Sequence, residues 1–129
     1  MTKAQSTVTS GDPERLTATI PNGAAVSAAV CVRGRLVGIE IPSAWSAAAM
    51  TFQASVNGTT FIDIWDSALT ATAAERTIAS GNIPTAATRF LALSLNDWTA
   101  VNYLIVRSGT SAAPVNQGAD RTIGLVLAG

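Results

Sequence analysis

The sequence predicts an all-β fold: a single antiparallel β-sandwich, jelly-roll-like, behind a polar N-terminal arm. Three observations carry this expectation. Apolar and β-branched residues come in short runs without helical periodicity. Turn-forming clusters separate the runs at near-regular spacing, among them Pro21-Asn22-Gly23, Arg33-Gly34, Pro42-Ser43, Asn57-Gly58 and Asn96-Asp97. The chain has 129 residues, 48% of them hydrophobic. That is one domain's worth of chain, and a fold of this size buries roughly two-thirds of the surface its unfolded chain exposes.

Taken in order, residues 1–15 form the arm and residues 16–129 the sandwich domain. The arm is rich in Thr and Ser and closes on Gly11-Asp12-Pro13, a turn cluster. It carries too little apolar surface to fold alone. Such an arm is either a frayed end or, in an assembled protein, a tether; the expectation is that it is mobile in the isolated protein and orders on a neighbouring subunit, with Lys3 or Arg15 pairing to acidic groups there. Strands are expected over residues 16–20, 24–32, 35–41, 48–55, 60–65, 76–79, 89–95, 103–107 and 122–127. Two alanine-containing stretches compete as short helices, residues 68–75 and 98–102, because alanine has the highest helix propensity.

The best-specified element is the hairpin around Asn57 and Gly58, the turn-defining pair. A two-residue loop would set Ala54 opposite Phe61 and Phe52 opposite Asp63, bringing a carboxylate among apolar side chains. A three-residue loop, Val56-Asn57-Gly58 with Gly58 left-handed, sets Phe52 opposite Ile62 and Met50 opposite Ile64. The second register collects Met50, Phe52, Ala54, Ile62 and Ile64 on one clean face, and a one-residue slip would destroy it. Phe61 and Trp65 then fall on the opposite face, where such large rings need cover from a second sheet or another copy of the chain.

Composition excludes several kinds of chemistry. Eight basic and eight acidic residues give zero formal charge, and nucleic-acid binding, which draws on a basic field, is not expected. With no histidine, Ser-His-Asp and Cys-His catalysis is excluded, and nearly all zinc and non-haem iron sites with it. Cys31 is the single cysteine and reads as a small buried apolar residue. The first residues lack the apolar run of a signal peptide, and no stretch approaches the roughly 20 apolar residues needed to cross a bilayer, so no membrane association is expected. Asp63 and Asp66 are close enough in sequence to suggest paired-carboxylate chemistry, but their odd offset in a strand sends them to opposite faces. Ser108-Gly109-Thr110-Ser111 lacks the lysine and glycine spacing of a phosphate-binding loop. No catalytic, cofactor or metal residue emerges.

Surface binding remains. Lys3 is the sole lysine among the cations and the rest are arginine, the residue enriched at protein interfaces. Trp45, Trp65 and Trp98 are suited to core or interface packing, and alternatively to an aromatic platform for sugars. The candidate interface residues are Phe61, Trp65, Trp98, Lys3 and Arg15.

One stretch, Ile41-Pro42-Ser43-Ala44-Trp45-Ser46-Ala47-Ala48-Ala49-Met50-Thr51-Phe52-Gln53-Ala54-Ser55-Val56-Asn57-Gly58, resembles a recurring segment of small proteins encoded in tailed-bacteriophage structural gene clusters. A second, Arg107-Ser108-Gly109-Thr110-Ser111-Ala112-Ala113-Pro114-Val115-Asn116-Gln117, followed by Ala119-Asp120-Arg121-Thr122 and an apolar strand, extends the resemblance from about Val37 to the C-terminus. Its motifs look like fold signatures, and Val56-Asn57-Gly58 departs from them where an acidic residue before the glycine is frequent. The resemblance implies a non-enzymatic virion component without cofactors: a capsid decoration or cement protein, or the shell-attached base of a head fibre. Such a protein would be made in the host cytoplasm and bind the major capsid protein at the capsid surface as a homo-oligomer. A trimer is expected, because decoration proteins of this kind commonly sit at local threefold axes. The alternative is a carbohydrate- or receptor-binding module of a fibre or tail.

Overall fold

The computed structural model describes residues 12–66, 74–80, 83 and 88–129. Residues 1–11 with Lys3, and residues 68–73 of the alanine-rich stretch, lie outside the described residues.

Among the described residues, ten strands and one short helix follow in the order β1 (Glu14–Ile20), β2 (Val30–Cys31), β3 (Leu36–Ile41), β4 (Met50–Ser55), β5 (Ile62–Asp63), β6 (Trp65–Asp66), β7 (Ala74–Glu75), β8 (Arg89–Ala92), α1 (Leu95–Trp98), β9 (Tyr103–Ser108) and β10 (Arg121–Leu127). Two four-stranded antiparallel sheets pack as a sandwich, ordered β1-β10-β3-β8 and β2-β9-β4-β5, while β6 and β7 pair separately. Leaving that small pair aside, the first, eighth, third and sixth strands form one sheet and the second, seventh, fourth and fifth the other. This is the strand order of a jelly roll. The antiparallel connections place the root of β1, the Arg33-Gly34 turn, the 56–61 loop and α1 at one end. Loops 42–49 and 109–120 lie at the other.

Period-two alternation explains the core. Ala18 and Ile20 of β1, Ile123, Leu125 and Leu127 of β10, Met50 and Phe52 of β4, and Leu104 and Val106 of β9 all point inward and are buried. In β3 the alternation breaks, since Leu36, Ile39 and Ile41 are all buried. The pairing shows why: Val126 faces Gly38 but Leu127 faces Leu36, so Val37 is an extra residue and the bulge turns Leu36 back to the core.

Several expected elements shift for identifiable reasons. β1 begins at Glu14, so Glu14 and Arg15 belong to the sandwich, with Arg15 opposite Val126. The expected strand over 24–32 shrinks to Val30–Cys31, with Val26 making only an isolated bridge to Arg107. Ser27 interrupts it, because its hydroxyl accepts the Val106 N–H at 3.0 Å in place of a strand carbonyl. The helix forms at Leu95–Trp98, upstream of the expected 98–102, and Trp98 is drawn into the core at 3% exposure.

The expected strand over 60–65 is split. Ile62 and Asp63 pair with Ala54 and Gln53, and Ile64 N–H donates to Phe52 O at 3.0 Å. The chain then leaves the edge of β4 for the β6–β7 excursion and returns at Ile78, which exchanges two backbone hydrogen bonds with Met50. A bond from Arg76 N–H to Ile64 O, 2.8 Å, closes the base of the excursion.

Candidate functional site

A groove of about 450 Å³ opens at the edge of the second sheet, between β5 and the connection after α1. Ala54, Ile62 and Ile64 lie on its sheet side, Ala100 and Val101 face them, and Trp65 stands at the excursion's base. The apolar face expected from the sequence is therefore real in its parity. At β5 it runs out through the open side of the sandwich, leaving Ile62 68% exposed; Trp65, expected on the opposite face, lines the same groove at 58% exposure because the pairing with β4 ends at Ile64, and Val56 is exposed beside them. Three large apolar side chains along one opening form an unusual surface for a small domain.

The loop that builds this rim corrects the hairpin register. Ala54 faces Ile62, so seven residues, 55–61, connect the paired positions instead of three. The shift is by two residues and so preserves which side chains share a face. Side-chain hydrogen bonds hold the longer loop: Asn57 Oδ1 accepts the N–H groups of Thr59 (2.9 Å) and Thr60 (3.1 Å), and Ser55 Oγ accepts that of Gly58 at 2.9 Å. Gly58 has φ +81° as expected, and a Cβ there would sit 3.2 Å from the Tyr103 ring. Replacing Gly58 with valine is expected to lower stability by roughly 1–2 kcal/mol in urea unfolding, through left-handed strain.

Charge at the groove is arranged by Arg76. Its Nε meets Asp66 at 2.6 Å, its Nη1 donates to Asp97 O at 2.9 Å, and its guanidinium lies 4.9 Å from the Trp98 ring centroid. Trp98 in turn stands edge-on to Phe52 at 5.1 Å, so the wall of the groove is tied to the core. The Asp97 carboxylate has no ion-pair partner among the described residues.

Behind the groove, the outer face of the second sheet carries a buried ion cluster. Arg107, 5% exposed, meets Asp63 at 3.0 Å and Glu75, and its Nε donates to Thr51 Oγ1 at 2.9 Å. Thr51 passes the chain on to Gly109 O at 2.7 Å, and Ser111 N–H bonds the Glu75 carboxylate at 3.2 Å. The excursion is thus fastened to β9 through Arg107 and to the 109–120 loop through the Glu75–Ser111 bond. Hydrogen bonding from Ser111 lowers the Asp63 pKa most; partial burial pushes back upward, and the Arg107 hydrogen bond, its charge and Gln53 add to the lowering. A carboxyl whose folded pKa lies below its unfolded value contributes stability above that unfolded value, and loses it as pH falls through the folded pKa. Stability is therefore expected to decline below about pH 4, and Asp63→Asn should flatten that decline in urea titrations across pH.

At the opposite end, Gln117 is buried and fully bonded. Its Oε1 accepts Ser46 N–H at 2.6 Å, and its Nε2 donates to Ser46 O at 3.1 Å and Ser108 Oγ at 2.8 Å. Residues 41–58 and 107–117 are thus packed on each other, with β4 and β9 paired from Met50↔Ser108 to Ser55↔Tyr103.

Of the candidate interface residues, the structure brings Trp65 to the groove, with Asn57 on its rim. Neither sheet covers Trp65, so the expected cover within the chain is not made. Phe61 is half-buried in the loop before β5 and does not line the groove. Trp98 is corrected from interface to core, because α1 turns it inward against Phe52. Arg15 lies on the outer face of the first sheet, paired with Glu40 at 2.9 Å, and Lys3 falls outside the described residues. Asp63 and Asp66 pair with different arginines, but they sit in separate strands, β5 and β6, and not on opposite faces of one strand. Cys31, expected to be buried, is partly exposed on an edge strand. Sequence reasoning missed Arg107, Glu75 and Gln117. The signal for Arg107 was a lone charge inside an apolar strand, Tyr103–Ser108.

Comparison with protein-family models, curated proteins and solved structures finds no match.

Proposed function

We propose that the chain is a non-enzymatic structural subunit of a tailed-phage virion, which decorates or cements the capsid by binding the major capsid protein lattice as an oligomer. The observation that carries this reading is the groove: Val56, Ile62 and Trp65 are exposed along one opening, which suits repeated burial against a neighbour. The virion assignment itself draws on the sequence resemblance spanning the Trp45 and Gln117 loops. Cementing works by adding small areas of buried interface many times over by symmetry, and a subunit needs only a modest contact surface to take part. The sugar-binding alternative loses its platform, since Trp45 and Trp98 are buried and Trp65 stands alone.

Because Trp65 is more than half exposed, Trp65→Ala is expected to change folding stability by less than about 1 kcal/mol. It should weaken occupancy on capsids by something on the order of 2–4 kcal/mol, the cost of truncating an interface anchor. The test is titration of wild-type and variant protein onto undecorated capsids of the encoding phage, read by co-sedimentation. Equal occupancy of the two would remove Trp65 from the contact.

A further inference from the structure

We infer that the groove receives the N-terminal arm, residues 1–11, of a neighbouring copy of this chain. The inference rests on the reading of the groove as a contact surface and names its occupant. Three observations support it.

The first is position. Glu14, the root of the arm, is held by Arg33 at 2.7 Å, and Arg33 N–H bonds Asn102 O at 3.0 Å. Asn102 follows Ala100 and Val101, which wall the groove, and its side chain donates to Val56 O at 3.3 Å. The arm therefore leaves the sandwich at the end where the groove opens, one chain segment away from it. Eleven extended residues span at most about 40 Å, enough to reach a copy packed beside that end.

The second is charge. Lys3 is the only charged side chain in residues 1–11. The groove offers the Asp97 carboxylate, which has no ion pair among the described residues, while Asp63 and Arg76 on its lining are engaged with other groups.

The third is shape. β5 is the edge strand of its sheet, and the arm's Thr7-Val8-Thr9 is a β-branched run suited to lying extended along such an edge, with Val8 offered to the apolar lining.

Arm and groove are different surfaces, so the contact they make is heterologous. Exchanged between two copies it makes a two-fold dimer, and passed head to tail around a rotation axis it closes into a ring, the arrangement that the expected trimer requires.

The test uses purified protein without capsids, so that its failure is separable from failure of the virion reading. Sedimentation equilibrium of the full chain should show concentration-dependent association, and deleting residues 2–11 should weaken it at least tenfold. Lys3→Glu and Asp97→Lys should each weaken association severalfold, and the two together should restore it. Acrylamide quenching of Trp65, the exposed tryptophan, should fall as the full chain associates. The inference is overturned if the full chain stays monomeric, if the deletion leaves association unchanged, or if the paired charge reversal restores nothing. It is equally overturned if the deletion raises quenching identically at every concentration, since the arm would then occupy its own groove. Loss of capsid binding with arm-dependent association intact would count against the virion reading alone.

Discussion

Replacing Trp98 with alanine is expected to destabilise the folded chain by about 3–5 kcal/mol, the range for removing a large buried aromatic side chain. Two losses combine. Trp98 is 3% exposed and stands edge-on to Phe52, so its removal opens a cavity beside the core of β4. It also leaves Arg76 without the ring beneath its guanidinium, which loosens the hold of Arg76 on Asp97 and Asp66. Urea unfolding should show the lowered midpoint. The contrast with Trp65→Ala is informative, because two tryptophans that sequence alone treats alike should fail in different assays, one in folding and one in contact.

The second large effect is expected at Arg107. Arg107→Met keeps the aliphatic stem but leaves Asp63 and Glu75 facing each other without their shared cation. Breaking one side of a buried ion pair costs about 3–5 kcal/mol, and the lower figure applies here because Asp63 and Glu75 keep side-chain exposures of 26% and 14%. Neutralising both carboxylates in the same chain, Asp63→Asn with Glu75→Gln, should recover much of the loss. Unfolding midpoints of the single and triple variants, measured at pH 7, test this. If Arg107→Met alone is as stable as the parent, the cluster does not fasten the excursion.

Local pattern was enough to read the sandwich. The alternation in Leu16 to Ile20 and in Thr122 to Leu127, the positive φ at Gly58 and the shared face of Phe52, Ala54, Ile62 and Ile64 all depend on near neighbours in sequence or on the period of a strand. What was not legible depends on distant partners. The loop length around Asn57 is set by side-chain hydrogen bonds that compete with the tight turn, and parity survived only because the shift was even. The division of the edge strand at Ile64 follows from Ile78 taking its place beside Met50, fourteen residues on (78 − 64). Arg107, Glu75 and Gln117 gained their roles from contacts across 32 to 71 positions, and no local spacing announces such pairs. Trp98 shows the same limit in the other direction. Its burial is decided by a four-residue helix placed upstream of where alanine content pointed.

In the proposed role, Val56, Ile62 and Trp65 form the surface by which this subunit is held in a virion. The test is oxidative footprinting of the segment containing Ile62 and Trp65, compared by mass spectrometry between free protein diluted until it is monomeric and purified particles. Protection of Trp65 by tenfold or more in the particle is the predicted result. Equal oxidation of Trp65 in the two states, or absence of the protein from the particles, would contradict the account.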